Sequence, residues 1–178
     1  IGGTDMGDTK FVIPNEVVRE QIFSYLLDTY EENDLTYDSS DIRDKERHMA
    51  YRGNFKPFFQ YIADSIYTFA SQRDRQKGEA FVHGFTLALT SQCRFYRPIS
   101  ELDNQNGYAD IFLRPRCEIY KDMEHSYIIE LKYLKSNATE AEVKAAVKQA
   151  EAQVCRYADT VNVNDNIGHT TLHQVYVV

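Results

Sequence analysis

Gly107-Tyr108-Ala109-Asp110-Ile111-Phe112-Leu113-Arg114-Pro115 is the stretch on which the fold of this chain turns. Read as a strand, its period-two alternation puts Tyr108, Asp110, Phe112 and Arg114 on one face and Ala109, Ile111 and Leu113 on the other. A second extended run, Ser126 to Tyr133, places Tyr127, Ile129, Leu131 and Tyr133 on one face and turns Glu130 and Lys132 together to the opposite side. If the two strands are neighbours, Asp110, Glu130 and Lys132 converge.

Two carboxylates and an ammonium on short apolar strands are what a divalent-metal site for cutting phosphodiesters requires. Carboxylate oxygens are hard ligands suited to Mg²⁺ or Mn²⁺, and Mg²⁺ keeps several waters while taking only one or two protein carboxylates. A metal held there polarises a phosphate oxygen and lowers the pKa of a bound water, while a lysine steadies the hydroxide or the developing charge. The Glu-Leu-Lys triplet has a plainer reading as a solvated pair of little energetic weight, and an Asp after Gly-Tyr-Ala can simply end a turn.

Working outward, Arg94 to Ser100 reads as a preceding strand, and Glu101 to Gly107 as a turn-rich link. Glu118 to His125 makes a second polar connection, so three strands follow one another as a meander. Thr139-Glu-Ala-Glu142 is a capping box opening a helix to about Asp159, with Val143, Ala146, Val147, Ala150, Val154, Tyr157 and Val161 along its apolar row. Gln153 lies on that packed side, where it needs a partner: a local side-chain hydrogen bond or a role at the active site. A last strand, Thr170 to Val178, returns parallel to a neighbour through the helical crossover. On the N-terminal side, a helix from about Lys77 to Thr90 turns Phe81, Val82, Phe85, Ala88 and Leu89 to a core, with Glu79, His83 and Thr86 on a neighbouring row. Glu79 reads as a first-turn acid favoured by the helix dipole. The whole gives an α/β fold with an αβββαβ core and a four-stranded mixed sheet over residues 77–178.

Residues 1–76 read as a helical subdomain. Asn15 is placed to cap a helix reaching Glu32 with Val18, Ile22, Tyr25, Leu26 and Tyr30 on its stripe; a second opens near Ser40 and breaks around Gly53 to Pro57. A third covers Pro57 to Arg73 and buries Phe58, Phe59, Ile62, Ile66, Phe69 and Ala70. These stripes are core rather than a cofactor pocket. The first ten residues are glycine-rich and read as the start of a fragment cut from a longer protein; they hold no Walker-type phosphate loop.

The 43% hydrophobic content suffices for a core, and no apolar run approaches the ~20 residues that cross a bilayer. With no basic-then-apolar leader, a cytoplasmic protein is expected. Cys93, Cys117 and Cys155 are odd in number and lack paired ligand spacing, so they read as reduced thiols. His169 and His173 sit in a strand-forming run, where their spacing makes no helical chelate, and read as surface histidines. The net charge of −7 gives no general attraction to phosphate. Residues 1–75 hold 9 Lys and Arg against 14 Asp and Glu, and residues 76–178 hold 11 against 13, so the acidity is concentrated outside the proposed core.

The order of parts resembles the catalytic core of the PD-(D/E)XK nuclease superfamily: Gly107 to Pro115 with Asp110, Tyr127-Ile-Ile-Glu130-Leu-Lys132, then Ala150-Glu-Ala-Gln153-Val-Cys-Arg-Tyr157 on a helix. In closer detail it is similar to the nuclease-like domain that follows an AAA-ATPase-like domain in many bacterial proteins. Ile13-Pro-Asn-Glu-Val-Val18 and Gly78-Glu-Ala-Phe-Val-His-Gly84 resemble elements between those two parts. The resemblance implies a restriction-endonuclease-like hydrolase acting on nucleic acid, in the first instance DNA, with Mg²⁺ or Mn²⁺ as cofactor. It implies Asp110 and Glu130 as metal ligands, the Leu131 carbonyl as a backbone ligand, Lys132 as the catalytic lysine, Gln153 reaching over the sheet, and Glu79 as a supporting ligand. It also implies an ATPase domain in the same longer chain. One departure is visible, since close relatives often carry an arginine after the glycine where Tyr108 stands here. A competing expectation is a catalytically weak or inactive nuclease-like module that binds or regulates the ATPase part.

Overall fold

Strands rich in β-branched and aromatic residues, separated by one long amphipathic helix, assemble here into a single mixed sheet. The computed structural model describes residues 3–5, 8–10, 16–32, 37–72, 78–104, 107–135, 137–158 and 161–178. A short antiparallel pair, β1 (Gly3–Asp5) and β2 (Asp8–Lys10), precedes helices α1 (Glu16–Glu32), α2 (Ser39–Arg52) and α3 (Lys56–Gln72). Then come α4 (Glu79–Ser91), β3 (Tyr96–Asn104), β4 (Gly107–Pro115), β5 (His125–Leu131), α5 (Glu140–Ala158), the single turn α6 (Val161–Asn164) and β6 (Thr171–Val177). Sheet order is β3-β4-β5-β6, antiparallel at the first two interfaces and parallel between β5 and β6. This is the expected αβββαβ core, a restriction-endonuclease-like α/β fold.

The sheet is covered on both faces. On one, Ile111, Leu113, Tyr127, Ile129 and Leu131 meet α1 to α4 through Leu27, Ile42, Met49, Phe58 and Phe85. On the other, Ala109, Phe112 and Ile128 meet Val154, Tyr157 and Ala158 of α5. Both faces being covered leaves β5 buried along nearly its whole length, the polar Ser126 and Glu130 included, which alternation alone does not mark. The Tyr127 hydroxyl donates to the Met49 carbonyl at 2.8 Å, which ties α2 to the middle of the sheet.

Local signals account for the ends of the elements. Thr139 and Glu142 form the reciprocal capping box: Glu142 Oε2 accepts from the Thr139 amide at 2.7 Å, and Thr139 Oγ1 accepts from the Glu142 amide at 3.3 Å. Asp38 caps α2 by accepting from the amides of Ser40 and Asp41. Gly53 closes α2 in the left-handed region, φ +65°, with its own amide and that of Asn54 donating to the Met49 and His48 carbonyls.

Several expectations are corrected. The stretch Glu101 to Asn104 is strand, paired to β4 through a connection of only two residues, because cross-strand pairing overrides the turn propensity of Asp and Asn. On α1 the buried side is Phe23 and Leu27, while Ile22 and Tyr25 are 40% and 71% exposed. One residue is a 100° rotation on a helix, and packing against α4 selects that rotation. β5 ends at Leu131 rather than Tyr133. His173 is no surface residue: β6 lies beside β5 with His173 opposite Tyr127, so its ring stacks on that tyrosine and reaches His125 at 2.9 Å. Burial and the neighbouring His125 lower its pKa. The β1–β2 pair falls within the segment read as helical. Asn15, Phe69, Ala70 and Val161 carry expectations that lie outside what is described.

Candidate metal centre and active site

β4 and β5 pair in order from Leu113↔Tyr127 through Phe112↔Ile128 to Ile111↔Ile129, and the ladder ends there. Continued, it would set Ala109 against Leu131. Instead the Leu131 amide donates to Asp110 Oδ2 at 2.7 Å, so a side chain takes the place of the next backbone acceptor. The strands part at this point. Ala109 was expected on the face of Ile111 and Leu113, but it packs with Phe112 on the α5 side.

Glu130 is the last residue but one of β5 and points to the same α5 face as Ile128. Its side chain is almost fully buried, and Lys132 Nζ donates to its Oε1 at 2.7 Å. The other carboxylate oxygen, Oε2, is buried with no hydrogen-bond partner among the described residues. Lys132 lies just beyond the strand and is held in register by its amide donating to the Val177 carbonyl at 2.8 Å. Asp110, Glu130, Leu131 and Lys132 are thus brought together.

The electrostatics bear the marks of one cluster. Burial raises the Glu130 carboxyl; the Lys132 hydrogen bond opposes that, and the charges of Asp110 and Glu79 add to it. Burial would depress the Lys132 ammonium, but its hydrogen bond to Glu130 and the charges of Glu130, Asp110 and Glu79 outweigh this and hold it above its ordinary value. Lys132 is therefore a cation at neutral pH, suited to steadying negative charge more than to accepting a proton.

Glu79 stands exposed in the first turn of α4, at a helix start where the dipole favours an acid, and its charge still reaches Glu130 and Lys132. Gln153 sits on α5 beside Val154, over the face that carries Glu130, with its Oε1 buried and without a partner. His83, expected on the α4 row of Glu79 and Thr86 but given no role there, takes one here. One turn after Glu79, its Nε2 lies 2.9 Å from the Asp110 carbonyl and 3.2 Å from Ser100 Oγ. A carbonyl only accepts, so Nε2 carries the proton and α4 pins the backbone at Asp110. The signal was its spacing of four from Glu79, which puts both on one side of the helix.

The donor set fits a hard divalent cation. Two buried oxygens, Glu130 Oε2 and Gln153 Oε1, have no donor, and the Asp110 carboxylate stands at the same strand divergence. Among the described residues no group of three His, Cys, Asp or Glu side chains forms a ready cage. Mg²⁺ asks for less, taking one or two carboxylates and completing its shell with water. Beside the cluster, Lys132 also forms part of the wall of an apolar groove of about 730 Å³ with Phe59, Ile66, Tyr67, Tyr133 and Val143. That volume is in the range that admits an organic ligand, roughly 300–1,000 Å³.

No helix among the described residues is long and apolar enough to cross a membrane. No curated protein and no solved structure matches the chain. A profile of the PD-(D/E)XK nuclease superfamily matches residues 77–178, from just before α4 to the end of β6. The matched segment holds the sheet, both flanking core helices and every residue of the cluster, and the chain belongs to the PD-(D/E)XK nuclease superfamily.

Proposed function

We propose that this chain is a metal-dependent phosphodiesterase that hydrolyses nucleic acid, DNA in the first instance, with Mg²⁺ or Mn²⁺ bound by Asp110, Glu130 and the Leu131 carbonyl. The observation that carries the reading is the orphaned Glu130 Oε2, a buried carboxylate oxygen left without a donor while its partner oxygen is held by Lys132. A buried ionised acceptor left unpaired costs roughly 1–3 kcal/mol or more, which a cation at that oxygen removes. When bound, the metal supplies Lewis-acid polarisation of the phosphate and a more acidic water.

The chain's own residues do the rest. Lys132 presents a fixed ammonium to the charge that builds on the phosphate, and Glu130 holds that ammonium in place. Asp110 is oriented from two sides, its carboxylate by the Leu131 amide and its backbone by His83. Gln153 orients Lys132 or the substrate, and Glu79 adds supporting negative charge. Residues 1–76 serve as an accessory subdomain, and the likeness of residues 13–18 and 78–84 to inter-domain elements supports an ATPase domain in the same longer chain. Asp110→Ala, Glu130→Ala and Lys132→Ala are each expected to abolish Mg²⁺- or Mn²⁺-dependent cleavage of a labelled oligonucleotide. Mn²⁺ should also raise the melting temperature of the wild type but not of Asp110→Ala. Cleavage that survives in all three variants rules the assignment out.

A further inference from the structure

At the end of the β3–β4 ladder away from Asp110, a cavity of about 150 Å³ is lined by Arg97, Arg114, Pro115, Arg116 and Glu118. Arg97 and Arg114 are register partners, directly opposite one another across the two strands. Like charges so placed are unfavourable on a ladder. Arg114 and Arg116 are partly buried, and among the described residues neither has an ion-pair partner or a side-chain hydrogen bond. Glu118, the one acid on the wall, is exposed and makes no ion pair there.

Three guanidiniums surround one small cavity, and two of them, those of Arg114 and Arg116, have no acceptor among the described residues. The volume excludes a drug-sized organic ligand, which needs roughly 300 Å³ or more, and suits a tetrahedral oxyanion. The planar fork of arginine matches phosphate oxygens two at a time. Position adds the last element: Arg114 follows Asp110 by four residues on the same strand, about 13 Å at the rise of an extended chain. That is roughly four nucleotide rises along one strand of a duplex.

We propose that Arg97, Arg114 and Arg116 form a phosphate site that anchors the backbone of a polynucleotide at a distance from the Asp110–Glu130 centre. It deepens, and rests on, the nuclease reading of that centre. It also explains how a chain of net charge −7 holds a polyanion, through one local cluster rather than an overall basic surface.

The test is fluorescence anisotropy of a labelled single-stranded 12-mer and its duplex, in EDTA so that nothing is cut, across a KCl series. Probes are the wild type, Arg114→Gln, Arg116→Gln, the double variant and Arg114→Lys, each checked for its melting temperature. Each loss of charge should weaken binding several-fold and reduce the slope of log K against log [KCl] by about 0.7–0.9. Arg114→Lys should restore the slope but not all of the affinity, and this variant carries the test if the glutamine substitutions unfold. Unchanged affinity and slope in the folded double variant overturn the proposal. So does a site that only inorganic phosphate fills, seen as a phosphate-dependent rise in melting temperature lost in the double variant while oligonucleotide binding is untouched. An equal loss of polyglutamate binding overturns it too. Slope loss without any cleavage by the wild type sinks the nuclease reading and leaves the phosphate site standing; metal-dependent cleavage with an unaltered slope does the reverse.

Discussion

Replacing Glu46 by glutamine probes how the helical layer is held on the sheet, and its magnitude follows from the structure. Glu46 is on α2 and only 2% exposed, with Oε1 lacking any partner and its carboxyl hydrogen-bonded to the buried Cys93 thiol. Burial raises its pKa from an ordinary 4.5 to about 8, the Cys93 hydrogen bond and the charge of Arg43 opposing only weakly. Folding at neutral pH therefore takes up a proton. The unfolded chain releases that proton near pH 4.5 and the folded chain near pH 8, so stability is full below the first value and is lost as pH rises through the second. At 1.36 kcal/mol per pKa unit, the loss between pH 5 and pH 8 is about 3 kcal/mol.

Glutamine is nearly isosteric and does not titrate, so Glu46→Gln should remove that slope. Its amide brings two donors to a side chain that is only 2% exposed, and an unmet donor costs about 1–3 kcal/mol. The variant is therefore expected to be less stable than the wild type at pH 5 and equal or more stable at pH 8. Urea unfolding of both proteins at half-unit steps from pH 5 to pH 8 makes the comparison. Parallel curves, with no crossing and no difference in slope, would show that Glu46 is ionised in the folded state.

Two further substitutions test the local signals that end the helices. Gly53→Ala places a Cβ 3.1 Å from the His125 ring at a residue with φ +65°, and should cost about 1–2 kcal/mol in urea unfolding, with Gly53→Asn milder because Asn tolerates that conformation; equal stability of all three proteins would contradict it. Thr139→Ala removes the acceptor for the Glu142 amide and should cost about 1 kcal/mol while speeding amide exchange in the first turn of α5; unchanged exchange at Glu142 would count against the capping box.

Much of the architecture was legible in short-range patterns. Periods of two and of 3.6 residues locate β4, β5, β6, α3, α4 and α5, because each element must bury one face and the spacing of apolar residues records which. The capping box of Thr139 and Glu142 is complete within four residues, so no distant partner is needed to recognise it. The motif positions Asp110, Glu130 and Lys132 were visible as residue types on strands of the right order. What they touch was not. The Asp110 carboxylate meets the Leu131 amide because β4 and β5 part after Ile111↔Ile129, and a ladder's end is a property of two strands. For the same reason Glu101 to Asn104 became strand, His173 stacks on Tyr127, His83 reaches the Asp110 carbonyl, and α1 turns Phe23 rather than Ile22 inward. Arg97 and Arg114 are seventeen residues apart and become neighbours only through the β3–β4 register. Sequence determined the elements, since propensity and periodicity are local; tertiary structure decided which side chains share a charge or a hydrogen bond, since those energies depend on partners brought together only by the packed sheet.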